Sequence, residues 1–405
     1  MNAKIEIETT TEKQEEVVLQ ADGARTGAGL RGAFGGLRGA LCGVFLERER
    51  EIDGLLCALV ARQHVLLLGD PGTGKSALTN ALCGSIDGSR YFQWLMTRYT
   101  TPEELFGPVS LSALKADKFQ RVPTGKLPEG NIAFLDEVWK ANSAILNSLL
   151  TIVNERKWHN NGGAVAVPLE ILVGASNELP EGEELSALYD RFLLRFWVEP
   201  LKSDGSFATL LLSDEPVLPA GLITLDEVHA AQAEAKALPL SRAVAERLAE
   251  LRREIAGAGL PQASDRRWKQ CVSLLRARAW LAGDAAVSLD HFDVLAHALW
   301  SDPEQRSEIA KIVSRYTAST VAEARKVYDA ITDLIARMPK AEDRYLETSP
   351  TVSREGRKAE DKLRALAESA TTQTSRDAIG ALIEEAVRAL APVRDAAARS
   401  IGMKR

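Results

Sequence analysis

Residues 64–76 read HVLLLGDPGTGKS, an apolar run that stops at a glycine-rich turn and is followed by the helical pattern ALTNALCG. Four apolar residues, Val65–Leu68, before such a turn predict a buried strand. Gly69-Asp70-Pro71-Gly72-Thr73-Gly74-Lys75-Ser76 fits the spacing G-x-x-x-x-G-K-[ST]. The glycines let backbone N–H groups fold around phosphate oxygens, and the following helix N-terminus adds a positive dipole. In that arrangement Lys75 reaches the β- and γ-phosphates and Ser76 ligates Mg²⁺. Gly69 through Ser76, with the adjoining Ala77, are therefore candidate nucleotide contacts.

Three further pieces follow downstream. Ile132-Ala133-Phe134-Leu135-Asp136-Glu137 is an apolar strand ending in adjacent acids. One carboxylate at a strand's carboxyl end can hold the Mg²⁺ shell, which suits Asp136, and its neighbour Glu137 can polarise water for attack on the γ-phosphate. Val173-Gly174-Ala175-Ser176-Asn177 is another apolar strand with a polar end, where Asn177 can orient the attacking water; by itself, Asn after a strand is ordinary turn chemistry. Asp190-Arg191-Phe192, with Arg195 close behind, and Ser264-Asp265-Arg266-Arg267-Trp268 supply arginines suited to delocalised phosphate charge. No [NT]-K-x-D guanine-reading motif occurs in the sequence, which points to ATP.

The chain has 405 residues, is 45% hydrophobic, and carries 50 Lys+Arg against 56 Asp+Glu. It can bury a sizeable core, and its mildly acidic balance gives no global attraction to nucleic acid or anionic membrane. Four dispersed cysteines with no CxxC pair suit reduced thiols. No apolar run approaches the ~20 residues that span a bilayer, and MNAKIEIETTTEKQEE lacks the order of a signal peptide. The expected compartment is cytoplasmic. The five histidines show no zinc-ligand spacing.

Residues 21–43 hold eight glycines, so residues 1–40 are expected to form a flexible arm. Residues 41–204 alternate strand and helix patterns, with strands at His64–Gly69, Tyr91–Met96, Asn131–Leu135, Glu170–Ala175 and Leu194–Val198, as in a parallel α/β sheet. Residues 205–300 read as all helical. In 301–405 an apolar stripe from Ile309 to Met338 predicts one long helix, followed by a break at Met338–Ser353 with two prolines and two more helices.

These pieces, in this order, resemble the AAA+ superfamily, and GDPGTGKSAL, TTPEELFG, IAFLDEVWKANSAILNSLLTIVNERKW, GASNELPEGEEL and ALYDRFLLRFWVEP resemble its MoxR family. SDRRWKQCVSLLRARAWLAG followed by DHFDVLAHALW looks most like the RavA branch. The resemblance covers roughly residues 41–300. It implies a P-loop NTPase core, an all-helical lid and a C-terminal helical bundle. It makes Asp136 and Glu137 the Walker B acids, Asn177 sensor 1, Arg191 the arginine finger acting on a neighbour's nucleotide, and Arg266 sensor 2. It further implies a homo-hexameric ring working with a von Willebrand factor A domain protein on a client protein or enzyme complex. Gly107–Gly130 and Lys157–Pro168 match the family's helix-2 insertion and the hairpin before sensor 1, the latter turning at Asn160-Asn161-Gly162-Gly163. One departure is the lack of the small β-rich domain that RavA-type proteins carry in the C-terminal region. A motor on nucleic acid and a nucleotide-gated scaffold are the alternatives. The acidic balance argues against the first, and the intact acid pair and arginines argue against the second. An unfoldase would need an aromatic–apolar–glycine pore loop, for which Leu105-Phe106-Gly107 is the nearest candidate.

Overall fold

The computed structural model describes residues 25–180, 182–213, 220–317, 320–339, 342–369 and 373–402. Helices α1 (Gly27–Val44) and α2 (Glu49–Ala61) precede strand β1 (His64–Leu68). Then come α3 (Lys75–Gly84), a two-residue strand β2 (Ile86–Asp87), β3 (Tyr91–Leu95), the short helices α4 (Pro102–Phe106) and α5 (Leu111–Leu114), and β4 (Ile132–Asp136). Helix α6 (Ser143–Glu155) leads into the hairpin β5 (Lys157–Asn160) and β6 (Gly163–Ala166), then β7 (Ile171–Ser176), α7 (Glu183–Tyr189) and β8 (Phe192–Trp197). Beyond β8, the regular structure of the described residues is helical apart from β9 (Ile223–Thr224), which pairs with β2. Its helices are α8 (Asp204–Leu212), α9 (Leu225–Ala237), α10 (Arg242–Gly257), α11 (Asp265–Ala282), α12 (Arg306–Tyr316), α13 (Thr320–Ala336), α14 (Glu342–Ser369) and α15 (Gln373–Gly402). No helix of the described residues is long and apolar enough to cross a membrane.

Five strands form one parallel sheet in the order β3-β4-β7-β1-β8, and they are the five apolar runs of the sequence with ends shifted by a residue or two. β1 and β7 are buried along their whole length, which is why they read as unbroken apolar runs rather than alternating ones. Register then places the polar ends. Leu68 pairs with Ser176 and Leu135 with Gly174, so Glu137, two residues beyond Leu135, stands level with Ser176 and Leu68. All three strand ends open on the carboxyl edge, where ligands of parallel sheets bind.

Helix α1 overturns the expectation of a flexible arm for residues 27–40; residues 1–24 of that arm lie outside the described residues. Leu30, Phe34, Leu37 and Leu41 fall at three- and four-residue steps and are fully or almost fully buried. Phe34 meets Trp280 of α11 edge to face at 5.1 Å, and Arg25 and Gly27 bond Glu227 and Glu234 of α9. The glycines that suggested disorder sit on the other side: a Cβ at Gly29, Gly32, Gly35, Gly36 or Gly39 would touch nothing within 4 Å. Burial of the apolar stripe outweighs the glycine cost, which composition alone does not reveal.

Two buried arginines, Arg267 of α11 and Arg195 of β8, tie the sheet to the helical region. Arg267 donates to the carbonyls of Ala298 (2.6 Å), Asp190 (3.2 Å), Phe192 (3.2 Å) and Leu193 (2.7 Å). Arg195, 2% exposed on β8, donates to Trp300 O and to Tyr189 O at 3.1 Å, with its guanidinium 3.8 Å over the Tyr189 ring. Burial presses both guanidinium pKa values down.

The C-terminal expectations need two corrections. The stripe from Ile309 to Met338 is two helices, not one. Ile309, Ile312 and Val313 of α12 join the main core with α10 and residues 289–297, so the helical region after the sheet runs past residue 300. Helix α13 packs with α14 and α15 around Ala324, Ile331, Leu363, Ile379, Leu382, Ala386 and Leu390. An apolar period that continues through both helices hides the division. The break expected at Met338–Ser353 ends by Glu342, and Pro350 lies inside α14. Proline frees the carbonyl four residues back, that of Leu346, and the Ser349 hydroxyl donates to it at 3.0 Å, which lets the helix continue.

Two expectations test this packing in denaturant unfolding. Phe34→Ala should cost about 3–5 kcal/mol, whereas Gly32→Ala, on the open face of the same helix, should stabilise by about 0.5–1 kcal/mol; no loss at Phe34 would remove the packed-helix assignment. Arg195→Ala should cost about 3 kcal/mol or more, because it orphans two carbonyls and a ring face. An unchanged unfolding midpoint would mean that Arg195 does not brace the lid.

Candidate nucleotide site

At the carboxyl edge lies a polar cavity of about 310 Å³, lined by Gly69, Pro71, Gly72, Thr73, Gly74, Lys75, Ser76, Asp136, Glu137, Ser176 and Asn177. Most of the expected set thus converges on one space. Asp70 and Ala77 do not line it. Ala77 is exposed on α3, and Asp70 faces a second cavity. That cavity holds about 490 Å³ on the other side of the loop, sharing Pro71, Gly72, Thr73 and Gly74, and is walled by Val44, Phe45, Leu46, Leu201, Phe207 and Leu210. A polar chamber joined through a glycine loop to an apolar one matches the two halves of a nucleotide, phosphates and base.

The loop's shape comes from close backbone approach. Gly69 has φ +134°, and a Cβ there would lie 2.3 Å from Val198 O. Gly69 N donates to Ser176 O (3.1 Å) and Val198 N to Leu68 O (2.7 Å), so the end of β1 is tied to both neighbouring strands. Gly72 and Gly74 also have positive φ, and Gly74 caps α3. Lys75 Nζ donates to Gly69 O (2.8 Å) and Asp70 O (2.7 Å), bonds that phosphate oxygens can replace. Burial lowers the Lys75 pKa, and the carboxylates of Asp136, Glu137 and Asp70 work against that shift.

Asp136 Oδ1 accepts from Glu137 N at 3.0 Å. Glu137 itself is left-handed, with φ 50° and ψ 45°, a conformation that costs a non-glycine residue of order 1–3 kcal/mol and clusters at functional sites. Its Oε2 lies 3.3 Å from Lys140 Nζ. Ser176 Oγ accepts from Glu178 N (3.1 Å), turning the chain at Asn177. The Ser76 hydroxyl and Asp136 carboxylate, hard oxygen donors on one small polar cavity, fit Mg²⁺.

Arg191 and Arg266 do not line this cavity. They lie near one another elsewhere, where burial and the Arg266 charge lower the Arg191 pKa. Arg266 Nη2 donates to Asn154 Oδ1 (3.0 Å), and Asp190 pairs with both Arg191 (3.4 Å) and Arg267 (3.5 Å). Arg191 Nε is buried without a hydrogen-bond partner among the described residues. Arg195, the arginine close behind Arg191 that also suits phosphate charge, is enclosed in the lid contact and cannot reach a ligand. Leu105 and Phe106 are buried, which removes them as a pore loop. The two insertions are knitted together: Arg121 N donates to Asn160 Oδ1 (2.8 Å) and Asn160 Nδ2 to Arg121 O (3.1 Å). Leu111 and Phe119 stand exposed on the longer one, and the hairpin turns through positive φ at Asn161 and Gly162, as expected.

Sequence reasoning missed Lys140, Arg48 and the apolar chamber. Arg48 is buried behind the loop and donates to Glu199 O at 2.8 Å. Lys140, three residues after Glu137 in a turn, had a readable signal; the chamber walls, drawn from residues 44–46 and 201–210, had none.

The family profile for the MoxR domain in the MoxR-vWA-beta-propeller ternary systems matches residues 37–236, and that for an AAA lid domain matches residues 243–313. The lid match reaches into α12, in keeping with its packing, and the MoxR profile is named for the ternary systems rather than for the RavA branch. The chain is 40% identical over 309 residues to the Methanocaldococcus jannaschii uncharacterized protein MJ0812, covering 75% of this chain and 82% of that one. Protein MoxR of Paracoccus denitrificans is 27% identical over 302 residues, 65% of this chain and 87% of that protein. A solved structure from Cytophaga hutchinsonii shares the fold at 18% identity with a TM-score of 0.57, covering 71% of this chain and 94% of that one. On the profiles, the relatives and the fold together, this chain belongs to the MoxR family of AAA+ ATPases.

Proposed function

We propose that this chain binds and hydrolyses Mg²⁺-ATP as a cytoplasmic homo-hexameric ring that remodels or activates a protein complex together with a von Willebrand factor A domain protein. The observation carrying the catalytic half is the single polar cavity that gathers Lys75, Ser76, Asp136, Glu137 and Asn177. In this reading the base enters the apolar chamber beside Phe45, Phe207 and Leu210, and Lys75 with the loop N–H groups takes the phosphates. Ser76 and Asp136 hold Mg²⁺, which neutralises charge developing on the phosphates. Glu137 accepts the proton of the attacking water, oriented by Asn177.

Placement of Arg191 and Arg266 supports a shared site. Two neighbouring guanidiniums away from their own chain's cavity suit delivery to the nucleotide of an adjacent subunit, which would supply the anion that Arg191 Nε lacks. Membership of the matched family supports the partner, because its profile is named for systems that include a vWA protein. The knitted insertions, with Leu111 and Phe119 exposed, are the surface proposed to receive it. Four free thiols agree with a reducing compartment. A nucleotide-gated scaffold or a motor on nucleic acid would share the fold, and the tests below separate them.

Glu137→Gln should keep ATP binding and lose turnover; turnover within about twofold of wild type would end the assignment of Glu137. Arginine fingers contribute ~10³–10⁵ in rate in related NTPases, so Arg191→Ala should be nearly inactive alone. Mixing it with Lys75→Ala subunits should then restore activity at mixed interfaces. Activity that responds to neither mixing nor dilution would show that the site is not shared.

The partner is tested by pull-down with the ATP-locked Glu137→Gln ring from native cells, where a vWA protein should be retained. Recovery of nucleic acid alone, or of no vWA protein in any nucleotide state, would defeat this part. If ATP tightens that partner, the partner must tighten ATP by the same factor.

A further inference from the structure

The nucleotide cavity has a second neighbour. Behind Glu137 lies a cavity of about 350 Å³ that shares Glu137 and Ser176 with the phosphate chamber. Its walls include Arg98, Lys140 and Glu178. Lys140 is already paired with Glu137 at 3.3 Å. Arg98 is exposed on the turn after β3, a turn fixed by Thr97 N donating to Thr100 Oγ1 at 2.8 Å. Its guanidinium makes no hydrogen bond or ion pair among the described residues.

The three cavities stand in a row. The apolar chamber and the phosphate chamber share the loop Pro71–Gly74, and the phosphate chamber and the third cavity share Glu137 and Ser176. A nucleoside diphosphate held by the loop and the apolar chamber would close the first end. Phosphate released at the γ position would then adjoin the third cavity across Glu137 and Ser176. The charges suit passage rather than storage: Arg98 and Lys140 face Glu137 and Glu178, so the space is formally balanced. It offers an anion two cationic partners without trapping it.

We propose that this cavity is the exit chamber for inorganic phosphate, with Lys140 passing the anion from beside Glu137 to Arg98 at the mouth while ADP stays bound. The inference rests on the ATPase reading above. It gives Lys140 two alternate partners, the Glu137 carboxylate at rest and the departing phosphate after cleavage. It also gives a role to an arginine that the phosphate cavity does not use.

A single-turnover experiment on the full chain with Mg²⁺-ATP, enzyme in excess, tests it. Cleavage is followed by acid quench and free phosphate by a fluorescent phosphate-binding protein. The delay between the two curves is the release time, a step that often limits turnover in such enzymes. Arg98→Glu should lengthen that delay by about tenfold with cleavage within about twofold of wild type, and Arg98→Lys should restore the delay. An unchanged delay, or cleavage slowed in parallel, overturns the proposal. So does loss of assembly by light scattering in Arg98→Glu, which would make Arg98 a subunit contact. Wild-type protein that cleaves no ATP would instead overturn the ATPase reading itself.

Discussion

The site hangs on the end of β1, held between β7 and β8 by a contact that admits no side chain. Gly69 lies so close to Val198 O that a methyl group would sit 2.3 Å from it, and the hydrogen bonds on either side tie Leu68–Gly69 to Ser176 and Val198. That contact aims the loop, and register does the rest. Because parallel strands pair without slippage across β1, β7 and β4, the loop, Asn177 and Glu137 emerge level with one another. Displacing β1 by one residue would exchange its faces and separate the lysine from the acids. Burial of β1 on both faces thus constrains the geometry of the site as well as stabilising the sheet.

The same logic explains what could be read beforehand. Buried parallel strands announce themselves as apolar runs, and a phosphate loop needs fixed residue types at fixed spacing, so the sheet and the residues of the polar cavity were legible. Helix α1 was not, because eight glycines masked the four buried positions that hold it. Pro350 reads as a break because the Ser349 hydroxyl that satisfies the freed carbonyl is invisible to a propensity argument. Arg191 and Arg195 look equivalent in RFLLR, and strand geometry separates them. Arg191 precedes β8 and keeps part of its side chain exposed, while Arg195 points into the lid contact.

Arg267 shows how the accessible arginines are supported. It binds the carbonyls of Asp190, Phe192 and Leu193 on one side and Ala298 on the other, while its neighbour Arg266 reaches Asn154 at the end of α6. Arg191 and Arg266 therefore ride on one brace that joins the sheet to the helical region. A displacement of the lid relative to the sheet would have to break buried, charge-assisted hydrogen bonds, so the two arginines should move as a unit.

The left-handed Glu137 completes the physical picture. Its backbone strain is sustained by a turn in which Lys140 N donates to Glu137 O at 2.9 Å while the two side chains pair. That ion pair also fixes the direction of the carboxylate, and an anion in the adjoining cavity would compete with Glu137 for the same ammonium. The residue that holds the Glu137 side chain is thus not in the phosphate loop but three residues further along the chain.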